Sequence, residues 1–218
     1  MGERAGGRNR KWEATHARIY DVALRLFQDE GYDQVSIARI AEAAGVSVPT
    51  FYAHYPSKEH LIMPPLQPEH VIEVLSAQPS DRPLGARIRQ AAVGTLLAYD
   101  ADQRAQLLAR WRIIAENPAL RLRVGEFDRM RAAVVAEYRA GSGPVRPSEL
   151  VVAGAHLSAL TSGLLRWADS EGRRDLGECL DEAFDALAAA EPSSAADRRP
   201  ALPNGSGAAR PRVSESPR

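Results

Sequence analysis

Residues 36–58 carry closely spaced polar side chains whose chemistry suits anion binding better than catalysis. These side chains carry hydroxyl, phenol, imidazole and ammonium groups. They belong to Ser36, Ser47, Thr50, Tyr52, His54 and Lys58. Each group donates hydrogen bonds, and donors of these types contact phosphate oxygens in complexes with nucleic acids. Val48, Pro49 and the Thr50 methyl add small apolar surfaces suited to thymine methyl groups. No Arg, Asn or Gln stands in residues 47–54 for bidentate base recognition.

Patterns of catalytic or metal-binding residues are missing from the sequence. The five histidines are scattered at positions 16, 54, 60, 70 and 156, and neither a glycine-rich phosphate loop nor an HExxH motif is present. Cys179 is the single cysteine, which excludes an intramolecular disulfide. It stands in an apolar helical pattern that predicts a buried, inert thiol, with a redox-sensing thiol as the alternative. We therefore expect no enzyme activity and no cofactor.

Two short helices around a tight turn position these polar side chains. Ile37 and Ile40 give the first helix an apolar face, and Gly45 permits the turn that lets a second helix cross it steeply. Ser47 is predicted to cap the amides of the second helix, with Pro49 in its first turn, where a missing N–H is harmless. The sequence therefore predicts a helix-turn-helix.

The second helix of such a motif enters the major groove with its first residues against base edges. We expect base contacts from Val48, Pro49 and Thr50. Tyr52, His54 and Lys58 are placed at phosphates, and Ser36 adds a phosphate contact at the start of the first helix. The alternatives are a generic two-helix corner, a core position for Tyr52, and a solvated His54 and Lys58.

Helical spacing of apolar residues throughout the chain predicts an all-α fold. The 28 basic and 28 acidic residues cancel, so net charge neither supports nor excludes a nucleic acid partner. We expect a basic flexible arm over 1–12, a three-helix DNA-binding domain over 13–63, a helical ligand-binding and dimerisation domain over 64–190, and a disordered tail over 191–218. Pro64, Pro65 and Pro68 interrupt the chain at the domain boundary. The arm either reaches DNA or is a solvated terminus.

The order of these motifs resembles the TetR family of repressors. The resemblance rests on Ala23-Leu-Arg-Leu-Phe27, Gly31-Tyr32, Ile40-Ala-Glu-Ala-Ala-Gly-Val-Ser47, Thr50-Phe-Tyr-Ala-His-Tyr55 and Ser57-Lys-Glu59, and it covers about residues 15–62. It implies a cytoplasmic, all-helical homodimer that binds an inverted-repeat operator in double-stranded DNA and is released by a small-molecule effector. Phe51 stands where a leucine is frequent, and the three prolines interrupt a linker that is usually a continuous helix.

The C-terminal half has wide apolar faces, most of which we interpret as core. Trp111, Phe127, Met130 and His156 are the candidate lining of a ligand pocket, because large or adaptable side chains with one polar group suit a cleft between helices. The stretch 111–124 resembles actinobacterial members of the family whose C-terminal domain binds acyl-CoA-like ligands. Phosphate contacts from Arg112, Arg121 and Arg123 are weighed against ordinary ion pairing, which we favour.

A small-residue face on the helix over 148–170 predicts close approach of another helix. It consists of Gly154, Ala155, Ser158, Ala159, Ser162 and Gly163. Together with an apolar stripe on the last helix, it predicts a four-helix dimer interface, with completion of the monomer core as the alternative. No signal sequence or membrane span is expected. The rival to a hydrophobic- or acyl-ligand-controlled repressor is a helical protein-interaction adaptor without DNA binding.

Overall fold

The computed structural model describes residues 3–190, with side chains from residue 10 onwards. Its secondary structure over that range is helical without strands, which confirms the predicted all-α class. The helices are α1 (Glu3–Glu30), α2 (Ile37–Ala43), α3 (Val48–His54), α4 (Lys58–Ile62), α5 (Pro68–Ser76), α6 (Leu84–Leu97), α7 (Ala101–Glu116), α8 (Pro118–Ala140), α9 (Pro147–Asp169) and α10 (Leu176–Ala190). The predicted tail, residues 191–218, lies outside the described residues.

The first helix is longer than the apolar pattern indicates. It begins at Glu3, so residues 3–12 continue α1 instead of forming a separate arm ahead of it. Apolar periodicity begins only further along the chain, and residues 10–14 are exposed. Residues 8–14 are nonetheless mostly good helix formers such as Arg, Lys, Glu and Ala.

One apolar core runs from the N-terminal helices into the C-terminal ones. Phe27, Phe51 and Ile62 are buried in the first part, and Trp111 and Ile114 of α7 belong to the same cluster. A smaller cluster joins α5, α6, α8 and α9. Short helices such as α2, α3 and α4 are unstable alone, so this shared burial holds them in place.

Polar contacts also join the two halves of the chain. Asn117, which caps α8, donates from Nδ2 to Asp33 Oδ2 at 3.0 Å. Arg123 of α8 forms an ion pair with Glu59 of α4. The helix-turn-helix is therefore attached to α8 by side chains as well as by the proline-containing segment, residues 63–67.

The predicted interruption between α4 and α5 is present. α4 ends at Ile62 and α5 begins at Pro68, with Pro64 and Pro65 between them. Within the described region, α9 alone has the length and composition of a membrane span. It packs against α6, α7, α8 and α10, and its Leu157, Leu164 and Trp167 are buried, as in the central helix of a globular domain.

Candidate nucleic-acid interface and ligand cavity

The turn between α2 and α3 has the geometry that its sequence predicts. Gly45 has φ +63°, in the left-handed region that favours glycine. Val46 then donates its N–H to the Ala41 carbonyl at 2.9 Å, which closes the turn. Ser36 caps α2, because its Oγ accepts from the Arg39 N–H at 3.1 Å.

The cap of α3 is formed by Ser47 and also holds Thr50. Ser47 Oγ accepts from the Thr50 N–H at 3.1 Å and lies 2.8 Å from the Thr50 hydroxyl. Pro49 lies in the first turn, as predicted. Because the Thr50 hydroxyl is already hydrogen-bonded, the Thr50 methyl is the group that remains for the predicted base contact.

One face of α3 is buried and the other is open. Phe51 is 0% exposed and Tyr55 5%, and the Tyr55 hydroxyl donates to the His16 carbonyl at 3.1 Å. On the outer face, Val48 is 38% exposed and Tyr52 51%. Tyr55 therefore occupies a core position, while Val48, Pro49 and Tyr52 are available to a partner.

Lys58 does not extend toward solvent as its predicted phosphate contact requires, and that prediction needs correction. Its Nζ donates to the carbonyl oxygens of Tyr32 at 2.7 Å and Val35 at 3.0 Å. The ammonium also lies 4.1 Å from the centre of the Tyr32 ring, a cation–π contact. Burial lowers the pKa of Lys58. This side chain fastens α4 to the end of α1.

His54 is half-buried, with one face of its ring covered by a neighbouring aromatic side chain. Its ring stacks on Trp12 with centroids 4.8 Å apart, and Trp12 stacks on His16 at the same distance. Burial lowers the pKa of His54, and burial together with His54 lowers the pKa of His16. The stacking on Trp12 orients the His54 ring, and its phosphate contact stays a prediction.

Trp12 is a candidate site residue that the apolar pattern of the sequence does not reveal. Trp12 is 47% exposed although its ring covers His16 and His54, so it joins the N-terminal part of α1 to the end of α3. Trp12 lies among charged residues, so it is not part of an apolar helical pattern. An isolated tryptophan next to basic residues was the available signal. Arg10 and Lys11, just before it, are exposed.

A cavity of about 360 Å³ lies between α5, α6, α7, α8 and α9. Its walls are largely aliphatic, from residues such as Val71, Ile88 and Leu164, and the proline-containing segment forms part of its lining. The size is at the lower end of ordinary small-molecule sites. A ligand there would touch the connection to the helix-turn-helix directly.

Of the four predicted pocket residues, one lines the cavity and three do not. Trp111 lines the cavity and is 5% exposed. Phe127 is buried in the core with its ring edge-on to His60, Met130 is 47% exposed, and His156 hydrogen-bonds the Val152 carbonyl through Nδ1 at 2.9 Å. These three are outside the cavity lining. Their pocket prediction is corrected, because apolar spacing identifies a helix face but not what that face meets.

The cavity contains a buried polar network that the sequence analysis did not identify. Asp128 is 4% exposed, and its Oδ1 accepts from the Thr161 hydroxyl at 3.0 Å and from Arg131 Nη1 at 3.4 Å. Burial raises the pKa of Asp128, and Thr161 and Arg131 only partly offset that rise. Burial lowers the pKa of Arg131. Arg131 Nη2 donates to the Pro64 carbonyl, so the network ends on the linker.

Arg110 connects the cavity to α1. It lines the cavity, and its guanidinium lies beside the Tyr20 phenol, where it partly offsets the burial that raises the pKa of Tyr20. Arg110 Nε and Trp111 Nε1 are buried donors without hydrogen-bond partners among the described residues. Two residues of the cavity lining therefore carry buried N–H groups that no described residue satisfies.

The three arginines considered for a phosphate-bearing ligand are ion-paired instead. Arg112 pairs with Glu116, Arg121 with Asp169, and Arg123 with Glu59. None of the three lines the cavity. The ion-paired alternative therefore accounts for these side chains.

The small-residue face of α9 is partly open to solvent. A shallow groove between α9 and α10 is lined by Ala155, Ser158, Ala159, Ser162, Arg166, Glu182, Ala183, Ala186 and Leu187. Gly163 instead faces α10 closely, since a Cβ there would lie 2.9 Å from the Cys179 carbonyl oxygen. The core alternative therefore holds for Gly163, while the exposed part of the face leaves the dimer interface a prediction.

Comparison with known proteins assigns both halves of the chain. Residues 19–63 match the family described as bacterial regulatory proteins, tetR family, and residues 82–192 match the family described as MftR C-terminal domain. The second match alone covers more than half of the chain.

Three relatives illustrate these matches. The transcriptional regulator TcmR of Streptomyces glaucescens is 34% identical over 43% of this chain and 40% of its own length. The repressor KstR of Rhodococcus jostii is 42% identical over 24% of each chain. The putative mycofactocin biosynthesis regulator MftR of Mycobacterium tuberculosis is 27% identical over 83% of this chain and 92% of its own length. The first two alignments span less than half of those relatives.

Proposed function

The chain belongs to the TetR family of bacterial regulatory proteins, and we propose that it is a homodimeric transcriptional repressor that releases DNA when a small ligand occupies its cavity. Members of this family bind DNA operators and small-molecule effectors and act as dimers. The observation that supports this proposal most directly is the open outer face of α3, on which Val48 and Tyr52 are exposed while Phe51 anchors the helix from behind.

The DNA contacts divide by chemistry. Val48, Pro49 and the Thr50 methyl are placed at base edges, and the Tyr52 phenol at a phosphate. Ser36 and Ser47 present the starts of α2 and α3, where backbone amides attract phosphate. Because this surface offers apolar and hydroxyl groups without a bidentate Arg or Asn, shape and deformability of the operator carry part of the specificity.

The first turns of α1 extend the proposed DNA surface. Arg10 and Lys11 are exposed, and Trp12 stacks on His54 at the end of α3, which keeps this basic stretch next to the recognition helix. Positive side chains in that position contact backbone phosphates or an adjacent minor groove. Their contribution is independent of sequence and sensitive to salt.

Pairing through α9 and α10 sets the spacing of two such surfaces. The exposed groove of small residues on these helices suits close packing of the same helices from a second copy. An isologous pair of this kind places two recognition helices about one DNA turn, roughly 34 Å, apart. An inverted-repeat operator follows from that symmetry.

The proposed effector is a small, largely apolar or acyl-type molecule. The cavity is mainly aliphatic, and Arg131 joins its buried carboxylate to the Pro64 carbonyl in the linker. A ligand releases DNA only when it binds the non-DNA-binding arrangement more tightly, because equal affinity for both shifts no population. Arg131 and Arg110 are the contacts through which occupancy reaches the N-terminal helices.

A gel-shift experiment with the DNA upstream of the chain's own gene tests the proposal. We expect a specific complex that survives excess random DNA at physiological ionic strength and weakens steeply with added salt. Sedimentation should show a dimer alone and one dimer per inverted repeat. A chain without any specific shift would support the adaptor alternative instead.

A further inference from the structure

The polar groups lining the cavity define the charge of the molecule that fits there. Arg110 and Arg131 each bring one positive charge, and Asp128 is the sole carboxylate of the lining within the described residues. Burial is the main cause of the lowered pKa of Arg131. The Arg110 guanidinium lies close enough to lower this pKa further, because it disfavours a second positive charge. Arg131 pairs with Asp128, which leaves the half-buried Arg110 as the positive group of the lining without an ion pair among the described residues.

Two buried donors in the lining require an acceptor. Trp111 Nε1 and Arg110 Nε have no hydrogen-bond partner among residues with described side chains. Trp111 is 5% exposed, so its indole N–H is withdrawn from bulk water. An unsatisfied buried N–H is costly, and a ligand acceptor in the cavity removes that cost.

Asp128 limits which anion fits. It accepts from Thr161 and Arg131 and is 4% exposed, so it stays with Arg131 and repels an approaching group with a high negative charge. The single excess positive charge matches a monoanion. The cavity has a volume of about 360 Å³ and aliphatic walls. The rest of a ligand that fits it is therefore compact and apolar.

We propose that the cavity binds a compact apolar monocarboxylate whose oxygens accept hydrogen bonds from Trp111 Nε1 and the Arg110 guanidinium. This inference deepens the proposed function, since the carboxylate is the effector whose occupancy alters the Arg131 and Arg110 contacts with the linker and α1. A free carboxylate and an acyl ester share the apolar chain and differ in charge, so the charge distinguishes them.

Calorimetric titration of the full chain with four ten-carbon probes tests this assignment. The probes are decanoate, its methyl ester, decanol and decylamine, each at neutral pH and below its aggregation concentration. We expect decanoate to bind at least about tenfold more tightly than the other three, the effect of one charge-assisted hydrogen bond. Tighter binding of decylamine, or equal binding of ester, alcohol and carboxylate, overturns the proposal.

A matched pair of tryptophan variants locates the head group. Trp111→Phe keeps an aromatic ring in the wall and removes the indole N–H, so decanoate affinity should fall about tenfold while decanol affinity stays within twofold. Trp167→Phe removes an indole N–H from the core outside the cavity lining and should change neither. Loss of selectivity in Trp167→Phe but not in Trp111→Phe contradicts the assignment.

The operator gel shift separates this inference from the proposed function. Addition of decanoate should dissociate the specific complex, whereas decylamine should not. A specific complex with no binding of any probe refutes the carboxylate class and leaves the regulator intact. Selective decanoate binding by a chain that shifts no DNA supports the carboxylate site and refutes the regulator.

Discussion

Arg131 donates a hydrogen bond of 2.9 Å from Nη2 to the carbonyl oxygen of Pro64, in the segment between α4 and α5. The other end of the same guanidinium lies 3.4 Å from the buried Asp128 carboxylate in the cavity wall. One side chain thus contacts both the cavity and the backbone that leads to the helix-turn-helix. A change in the charge around this guanidinium therefore acts on the linker directly and does not require movement of the apolar core.

Replacing Arg131 by methionine should destabilise the fold in a pH-dependent way. Asp128 then lacks its cation, and the free energy of unfolding falls by about 2 kcal/mol at pH 7. Loss of Arg131 raises the folded-state pKa of Asp128 further above its unfolded value. The cost is therefore present above that raised pKa and disappears as the carboxylate is protonated at lower pH.

Urea denaturation at pH 7 and at about pH 4 measures this effect. Arg129→Met on the same helix is the control, since Arg129 is exposed and its loss should change stability by less than about 0.5 kcal/mol. An equal loss at both pH values would show that methionine fails there for steric reasons instead.

Lys58→Met should weaken the fold and leave the salt dependence of DNA binding unchanged. The Tyr32 and Val35 carbonyls each lose a donor, which costs about 1–2 kcal/mol in unfolding free energy. A phosphate contact would instead lower the slope of log affinity against log salt by about one. Denaturation and salt titration of Lys58→Met beside the exposed Lys11→Met therefore distinguish a structural lysine from a DNA contact.

Local features of this fold are predictable from sequence, and distant ones are not. The caps by Ser36 and Ser47 involve residues three positions apart, so a short motif specifies them. Lys58 meets Tyr32 across 26 positions, and only the packed fold reveals that contact. His54 meets Trp12 in the same way.

Helix periodicity likewise predicts burial without specifying the neighbour. It identified the apolar faces of α7 and α8, but the cavity includes Trp111 and excludes Phe127 and Met130. The cavity is formed by five helices whose relative rotation depends on packing. The buried Asp128–Arg131 pair was missed because both residues look like surface charges in an amphipathic helix.

Val48→Ala and Tyr52→Phe should affect DNA binding differently. Val48 loses apolar contact with a base, so affinity for the operator should fall roughly fivefold while binding to random DNA is unchanged. Tyr52→Phe keeps the ring and removes a phosphate donor, so both kinds of DNA should be bound about threefold more weakly. Fluorescence anisotropy with an operator and a shuffled duplex provides the measurement. The same specificity ratio in both variants would contradict the division of contacts.

His16 and His54, which both stack on Trp12, should make the N-terminal helices sensitive to acid. Burial lowers both pKa values below 6.5, with His54 contributing to the shift of His16, so the unfolded chain takes up protons first as pH falls. The stability from the neutral rings is complete above pH 6.5 and is lost as pH falls toward the folded pKa values.

Thermal unfolding between pH 7.5 and 5.5 follows that loss. His54→Gln should flatten the decline, because one of the two titrating rings is removed. His70→Gln is the control, since His70 lies exposed on α5, apart from the rings that stack on Trp12. A decline that is unchanged in His54→Gln would assign the acid sensitivity to other groups.

Two glycines of α9 should respond oppositely to alanine. A Cβ at Gly163 would lie 2.9 Å from the Cys179 carbonyl oxygen and 3.0 Å from the Leu180 Cα, so the backbone of α10 must move. Overpacking of this kind costs about 1–3 kcal/mol. A Cβ at Gly154 meets no described atom within 4 Å, so alanine there should stabilise the helix by about 0.5–1 kcal/mol. Both changes add the same methyl group to the same helix, so they differ in whether α10 lies close to the added group. Urea denaturation of Gly163→Ala and Gly154→Ala measures this difference. Equal effects on the free energy of unfolding would show that α9 and α10 are not held this closely.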